Sequence, residues 1–333
     1  MCNFKSLFAF VLFFISLSSY AQEGIPVYFD YLSDNYYLIH PSMAGVSEGG
    51  KVRLTARKQW FDVENAPALQ TLSAHLRVGE KSGIGAILFN DSNGYHSQSG
   101  MKLTYAHHIK LSEYRDGVNQ LSFGINVGFL QSRLDESEFL SGGSASDPII
   151  TGASNNVSYF NVDAGMSYNF LEFYAHFTVK NLLGSGRDLY SVEEIDNLRR
   201  YLFSAGYVFG KSQWQFEPSF LFQFSEYTEE STIDLNGKIY REMNFGQIWG
   251  GLSYRRSFDG AEYEIPGASG AQRLQLFTPF IGVNLNKFMF SYNYSYQKGD
   301  LRFDDGGFHQ ITIGYNFLQG KSRYNCKCPA VNY

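Results

Sequence analysis

The residues of this sequence best suited to acid–base or metal chemistry are its seven histidines: His40, His75, His96, His107, His108, His176 and His309. They are scattered. His107 and His108 are adjacent, and on a strand they face opposite sides, so they cannot hold one metal together. Asp91-Ser92-Asn93-Gly94 and Asp304-Asp305-Gly306-Gly307 offer carboxylates, but neither has the spacing or closing Glu of a calcium loop, and both read as turns. Cys326 and Cys328 form a C-x-C near the end, too few for a disulfide framework or a zinc site. A strained disulfide, pairing with another protein and no role at all stay open for them. There is no H-E-x-x-H and no glycine-rich phosphate loop before a helix. The expectation is therefore a protein that is not an enzyme: no catalytic residues, no cofactor, no metal. An active site assembled at one rim from distant loops is kept as a third class.

The compartment is read from the first residues. Lys5 gives a short positive region, and Leu7 to Leu17 (LFAFVLFFISL) is an apolar run of signal-peptide length. Ser19-Tyr20-Ala21 supplies the small residues for cleavage before Gln22, and Cys2 leaves with the leader. No other run approaches the length of a membrane-spanning helix. The chain has 24 Tyr, 30 Phe and 33 Gly but only 8 Pro, a composition that favours strands over helices. A net charge of −5 argues against a nucleic-acid partner, which would meet a basic face.

From Lys51 onward the pattern has period two. Leu121, Phe123, Ile125, Val127 and Phe129 alternate with Ser122, Gly124, Asn126 and Gly128. Phe288, Phe290, Tyr292, Tyr294 and Tyr296 alternate with Met289, Ser291, Asn293, Ser295 and Gln297. The apolar faces carry large aromatics, the opposite faces Gly, Ser, Asn and Gln, and Tyr often ends an apolar face. A soluble sandwich core would be built of Val, Ile and Leu instead.

The reading is an all-β fold, a transmembrane antiparallel outer-membrane β-barrel of about 14 strands. Strands are expected to start near residues 51, 68, 82, 98, 119, 157, 171, 199, 213, 231, 245, 273, 287 and 307. Long connectors, around 133–156, 183–198 and 259–270, follow the fifth, seventh and eleventh strands. Short ones near Asn169-Phe170, Gly210-Lys211 and Leu285-Asn286 follow the sixth, eighth and twelfth. Such sorting puts long loops outside and short turns in the periplasm. The expected divisions are a leader at 1–21, a short N-terminal arm at 22–50, the barrel at 51–319 and a periplasmic C-terminal tail at 320–333. The arm, rich in Tyr28, Phe29, Tyr31, Tyr36 and Tyr37, is either periplasmic or docked in the lumen. Lys51, Arg53 and Arg57 fall on the polar side of the first strand, with His75 and Arg77 on that of the second. Lumen solvation and cross-linking is one reading of them; an anion-preferring channel or a docking surface for an inserted segment is the other.

Several segments resemble one known family. His40-Pro41-Ser42-Met43-Ala44-Gly45 resembles the N-P-A-x-x-G motif near the start of mature PorP/SprF-family proteins of the Bacteroidetes. Arg57-Lys58-Gln59-Trp60 is similar to that family's R-x-Q-W, with Ala66-Pro67 following. Gly83-Ile84-Gly85 with Asp91 through Gly94, Tyr105-Ala106-His107-His108-Ile109 and Cys328-Pro329 also resemble its blocks, in its order. His40 stands where Asn is usual and Ser42 where Ala is usual.

The resemblance implies a Sec-exported component of the type IX secretion system, in the outer membrane of a Gram-negative bacterium and in contact with its lipid. It implies support for secretion or surface attachment of cargo such as gliding adhesins, by protein–protein docking. The partners it implies are periplasmic ring and linker proteins and a surface cargo with a type IX C-terminal domain. His40, Pro41, Ser42, Met43, Ala44, Gly45, Arg57, Gln59 and Trp60 are the candidate site residues, with a partner-binding or a structural role. The alternative is a passive or substrate-specific transport pore of porin or fatty-acid-transporter type.

Overall fold

The protein is described from a computed structural model, which covers residues 35–47, 49–59, 66–111, 118–136, 154–184, 199–210, 213–265, 268–298 and 307–318. Fourteen antiparallel strands, each paired with its sequence neighbours, close on themselves. They are β1 (Gly50–Gln59), β2 (Ala68–Val78), β3 (Ser82–Asn93), β4 (His96–Lys110), β5 (Asn119–Asp135), β6 (Ser154–Phe170) and β7 (Phe173–Lys180). The second half comprises β8 (Arg200–Tyr207), β9 (Trp214–Ser225), β10 (Ser231–Met243), β11 (Gly246–Ile265), β12 (Ala268–Leu285), β13 (Phe288–Lys298) and β14 (Phe308–Phe317). β1 pairs with β14 from Gly50↔Phe317 to Gln59↔Phe308, which closes the cylinder.

Alternation drives this closure. Phe123, Ile125, Val127 and Phe129 of β5 point outward and stay exposed, while Ser122, Asn126 and Ser132 are buried inside. The same holds for Leu103 and Tyr105 against Lys102 and Thr104 of β4. An apolar exterior with a polar interior suits hydrocarbon outside, and a closed ladder leaves no backbone donor unpaired in the bilayer. The even strand count agrees with the structure, and so do the predicted starts to within a few residues, except that β12 begins at Ala268 rather than near 273.

Connectors at the end where β1 begins span 79–81, 111–118, 171–172, 208–213, 244–245 and 286–287, none longer than eight residues. At the opposite end, 136–153 and 181–199 are long, as expected. The predicted loop at 259–270 is different. There β11 runs on to Ile265 and β12 starts at Ala268, with a register shift between Arg256 and Gly260. Ser257-Phe258-Asp259-Gly260 breaks the alternation, so the ladder's continuation beyond the bulge reads as loop.

Wall height is uneven. β7 and β8 have 8 residues each, against 17 in β5 and β6, 20 in β11 and 18 in β12. The expectations placed on the leader, on Trp60 and on the tail with Cys326 and Cys328 fall outside the described residues.

Candidate functional site in the barrel lumen

Of the chain before β1, residues 35–47 lie inside the cylinder. Residues 35–47 are buried throughout, although they precede the first strand. Tyr36–Leu38 and Pro41–Met43 form two short 3-10 turns. Pro41 opens the second, where its fixed φ is compatible and its missing N–H costs nothing. Gly45, at φ +65, turns the arm towards β1 in a conformation that side chains disfavour.

A buried segment this short cannot satisfy its own backbone, so the barrel wall does. Lys180 Nζ donates to Leu38 O at 3.3 Å, and His108 Nε2 donates to Ala44 O at 3.0 Å. Gly45 N–H donates to His75 Nδ1 at 3.0 Å. Arg77 Nη1 reaches Gly45 O and Val46 O at 3.1 and 3.3 Å. Because Ala44 O can only accept, the His108 proton sits on Nε2, and its Nδ1 accepts from Ser122 Oγ at 2.8 Å.

The arm's side chains are held as fully. Asn35 donates to Ser73 Oγ at 2.9 Å, and Tyr37 OH meets Thr104 Oγ1 at 2.6 Å. Ser42 and Ser167 share a hydroxyl contact at 2.5 Å. His40 is bound at both ends of its ring, Nδ1 to Thr178 Oγ1 and Nε2 to Ser204 Oγ, each at 2.8 Å. The His176 ring lies 4.9 Å from that of His40, 5.1 Å from Tyr36 and 5.2 Å from Tyr174, forming an aromatic box. Burial in this box, with His176 and Lys180 adding like charge, holds His40 well below the usual histidine range and therefore neutral.

Glycines shape the wall to the arm. A Cβ on Gly124 would sit 2.3 Å from the Pro41 carbonyl carbon, and one on Gly83 would sit 2.0 Å from Ala44 O. Beneath the arm the lumen is cross-linked. Lys102 pairs with Asp163 at 2.7 Å, both buried, and Asp163 also accepts from Asn181 N–H at 3.0 Å. Tyr36 OH contacts Tyr174 OH at 2.8 Å; Tyr174 and Tyr240 both donate to the Glu217 carboxylate. In the remaining half, Tyr240, Trp249, Phe280 and Met289 pack as a separate apolar cluster.

Among the candidate residues, His40, Pro41, Ser42, Met43, Ala44 and Gly45 are brought together in the lumen. Arg57 and Gln59 are not with them. They lie at the opposite end of β1, with Arg57 over the Phe308 ring at 3.9 Å and Gln59 N–H bonded to Pro67 O at 2.9 Å. Arg53, His75 and Arg77 do face the lumen, and His75 and Arg77 serve the arm. Tyr36 and Tyr37 were noted only as part of the aromatic arm, and Thr178, Lys180 and Ser204 were not singled out from the sequence. The signal that could have found them is glycine at inward positions, Gly83 and Gly124, where a wall admits another chain.

The fold and this site define a membrane β-barrel of outer-membrane type whose lumen holds its own N-terminal segment. The family described as type IX secretion system membrane protein PorP/SprF matches residues 21–315, and the chain belongs to it. It is thereby an outer-membrane component of the type IX secretion system. No curated protein matches the chain. Among solved structures it is similar to a TodX monoaromatic hydrocarbon channel deltaS2 mutant, with TM-score 0.51 and 10% identity over 85% of this chain and 94% of that one. The deltaS2S3 mutant of that channel gives TM-score 0.50 and 10% identity over 86% and 95%. Identity this low establishes a shared fold only.

Proposed function

We propose that this protein is a non-enzymatic docking barrel, which supports secretion or surface attachment of a cargo by binding proteins rather than by conducting solutes. The observation that supports this best is the lumen itself. Residues 35–47 occupy it with wall contacts from β2 to β8, so a porin's water-filled path is already taken. On this reading a Sec leader at 1–21 is removed, residues 22–50 form the arm, 51–319 the barrel, and 320–333 a periplasmic tail. The short turns then face the periplasm and its ring and linker proteins, and the tall strands face outward towards a cargo with a type IX C-terminal domain. The 40–45 segment acts as the structural stopper, and Arg57 and Gln59 brace the outer end of β1.

The test is affinity purification of the tagged protein from mild-detergent outer membranes, with mass spectrometry of what accompanies it. Recovery of a surface cargo carrying such a C-terminal domain, or of the ring proteins, is expected. A partner-free barrel that conducts ions in a planar bilayer would overturn the docking role in favour of the transport pore.

A further inference from the structure

On the lipid-facing wall, the apolar faces of β11 and β13 end in cations. Leu252, Ile281, Phe290, Tyr292 and Tyr296 cover these strands and β12 on the outside and are exposed. The next outward positions are Arg256 after Tyr254 on β11, Gln275 before Phe277 on β12, and Lys298 after Tyr296 on β13. The ladder sets them side by side, since Arg256 pairs with Gln275 and Gln275 with Lys298. At strand spacing the two cations stand about 10 Å apart, with Gln275 between them. Arg273, exposed two residues further along β12, brings a third charge to the same patch.

Their height follows from the strands. Counted from the short-turn end, Arg256 is ten residues from Gly246, Gln275 ten from Leu285 and Lys298 ten from Phe288. Ten residues run about 33 Å along a strand, and the tilt of a barrel strand reduces this to about 25 Å of height, the full height of the apolar band. The cations therefore stand where hydrocarbon gives way to the outer-leaflet headgroups. Tyr254 and Phe277 lie just below them with rings 4.8 Å apart, and Tyr254 OH donates to Gln275 Oε1 at 3.4 Å, as an interfacial aromatic belt requires. Among the described residues none of Arg256, Arg273 and Lys298 has an ion-pair or hydrogen-bond partner, and the Arg256 Nε is buried without one. A cation without a counter-ion at the edge of hydrocarbon is costly. The next carboxylate along β11, Asp259, accepts from Ser231 N–H and Oγ at 2.5 and 3.2 Å. By contrast Arg133, on the outward face of β5, has its own partner in Asp135 at 2.7 Å.

We infer that Arg256, Arg273 and Lys298 form a binding site for the phosphate of an outer-leaflet lipid, whose acyl chains run down the wall over Tyr254, Phe277 and Tyr296. Arginine supplies paired planar donors and lysine a point charge, and a phosphate seated between them neutralises both strands at once. The lipid braces the foot of the tall ladder, in which β11 and β12 continue to Ile265↔Ala268. The inference is independent of the docking reading, because it concerns the outer surface of the wall and not the lumen or the loops.

The experiment titrates the full-length protein in detergent micelles with dioleoyl phosphatidic acid and counts lipid adducts by native mass spectrometry. Dioleoylglycerol, which has the same chains without the phosphate, is expected to bind the unaltered protein more weakly by about tenfold or more. The double variant R256Q/K298Q should weaken phosphatidic acid by about the same factor, and the charge-keeping R256K/K298R should restore most of the affinity. Heat-modifiable gel mobility shows that both variants are folded barrels. Arg133→Gln should leave lipid binding unchanged. Equal binding of the two lipids, full affinity in R256Q/K298Q, or an equal loss in Arg133→Gln overturns the inference. Displacement of the lipid by inorganic phosphate at matching concentration would overturn the lipid assignment in favour of a site for free phosphate.

Discussion

Gly124 lies directly against Pro41: a Cβ at Gly124 would stand 2.3 Å from the Pro41 carbonyl carbon and 2.3 Å from Ser42 N. The absent side chain is the space in which the second turn of the arm rests. Gly124→Val should therefore leave β5 paired but push the arm off the wall, at a cost of about 1–3 kcal/mol for overpacking. Hydrogen exchange of the Met43 and Ala44 amides, bonded within the arm to His40 O and Pro41 O, reads this directly. Gly237→Ala, where nothing lies within 4 Å, is the control and should change nothing. Equal protection in both variants would contradict the packing argument.

His40 satisfies two wall hydroxyls at once. Truncation to alanine leaves Thr178 and Ser204 facing a void and should loosen the arm by about 1–3 kcal/mol. Asparagine keeps a donor and an acceptor at the position, and His40→Asn should recover at least half of that loss. Protease sensitivity of the arm in folded barrels measures both. If alanine and asparagine behave alike, the two hydrogen bonds do not hold the arm.

Because His40 is held neutral by burial, arm docking depends on pH in a defined direction. Released, the ring has an ordinary pKa near 6.5; docked, its pKa is lower, so the released arm takes up more protons as pH falls. Docking is at full strength above about 6.5 and weakens by up to about 1.4 kcal/mol per pH unit below it, until the docked pKa is reached. The groups facing the ring are Tyr36, His176 and Lys180. Exchange protection of the arm measured from pH 8 to pH 5 should fall in wild type and stay flatter in His40→Asn. A rise on acidification would reverse the assignment.

The buried Lys102–Asp163 pair should be costly to break and cheap to replace. Lys102→Met alone takes the ion-pair partner from a buried carboxylate that keeps its Asn181 and Asn126 donors and the nearby Lys180, at about 3 kcal/mol, whereas adding Asp163→Leu removes that carboxylate and should regain most of the loss. Urea unfolding of barrels in lipid vesicles, followed by heat-modifiable gel mobility, would reveal the pattern. Additive losses in the double variant would mean the two side chains are uncoupled.

Strand number and position were legible because an outward Phe, Ile or Tyr next to an inward Ser, Gly or Asn leaves a period of two wherever one face meets lipid. The extension of β11 and β12 was not, because Ser257 to Gly260 interrupts that period at the bulge. The arm was harder for another reason. Tyr36-Tyr37-Leu38-Ile39 is apolar with no strand alternation, and its partners lie far along the chain, from His75 at a separation of 30 to Ser204 at 164. Sequence spacing carries no record of such contacts, so lumen and periplasm read alike.

Connectivity imposes an order on the birth of this molecule. The last ladder to close joins β1 to β14, where Thr55 and Thr312 meet at 3.0 Å across 257 residues, and contacts so remote in sequence form late. The arm is tethered to the start of β1 and touches strands from β2 to β8, all available while the sheet is still an open ribbon. It is laid down first and the seam is zipped around it. Pulsed exchange during refolding into vesicles should find the arm protected before the Thr55–Thr312 seam; the reverse order would refute this. The tyrosine-rich segment is then less a cork pushed into a finished bottle than the mandrel on which the cylinder is wound.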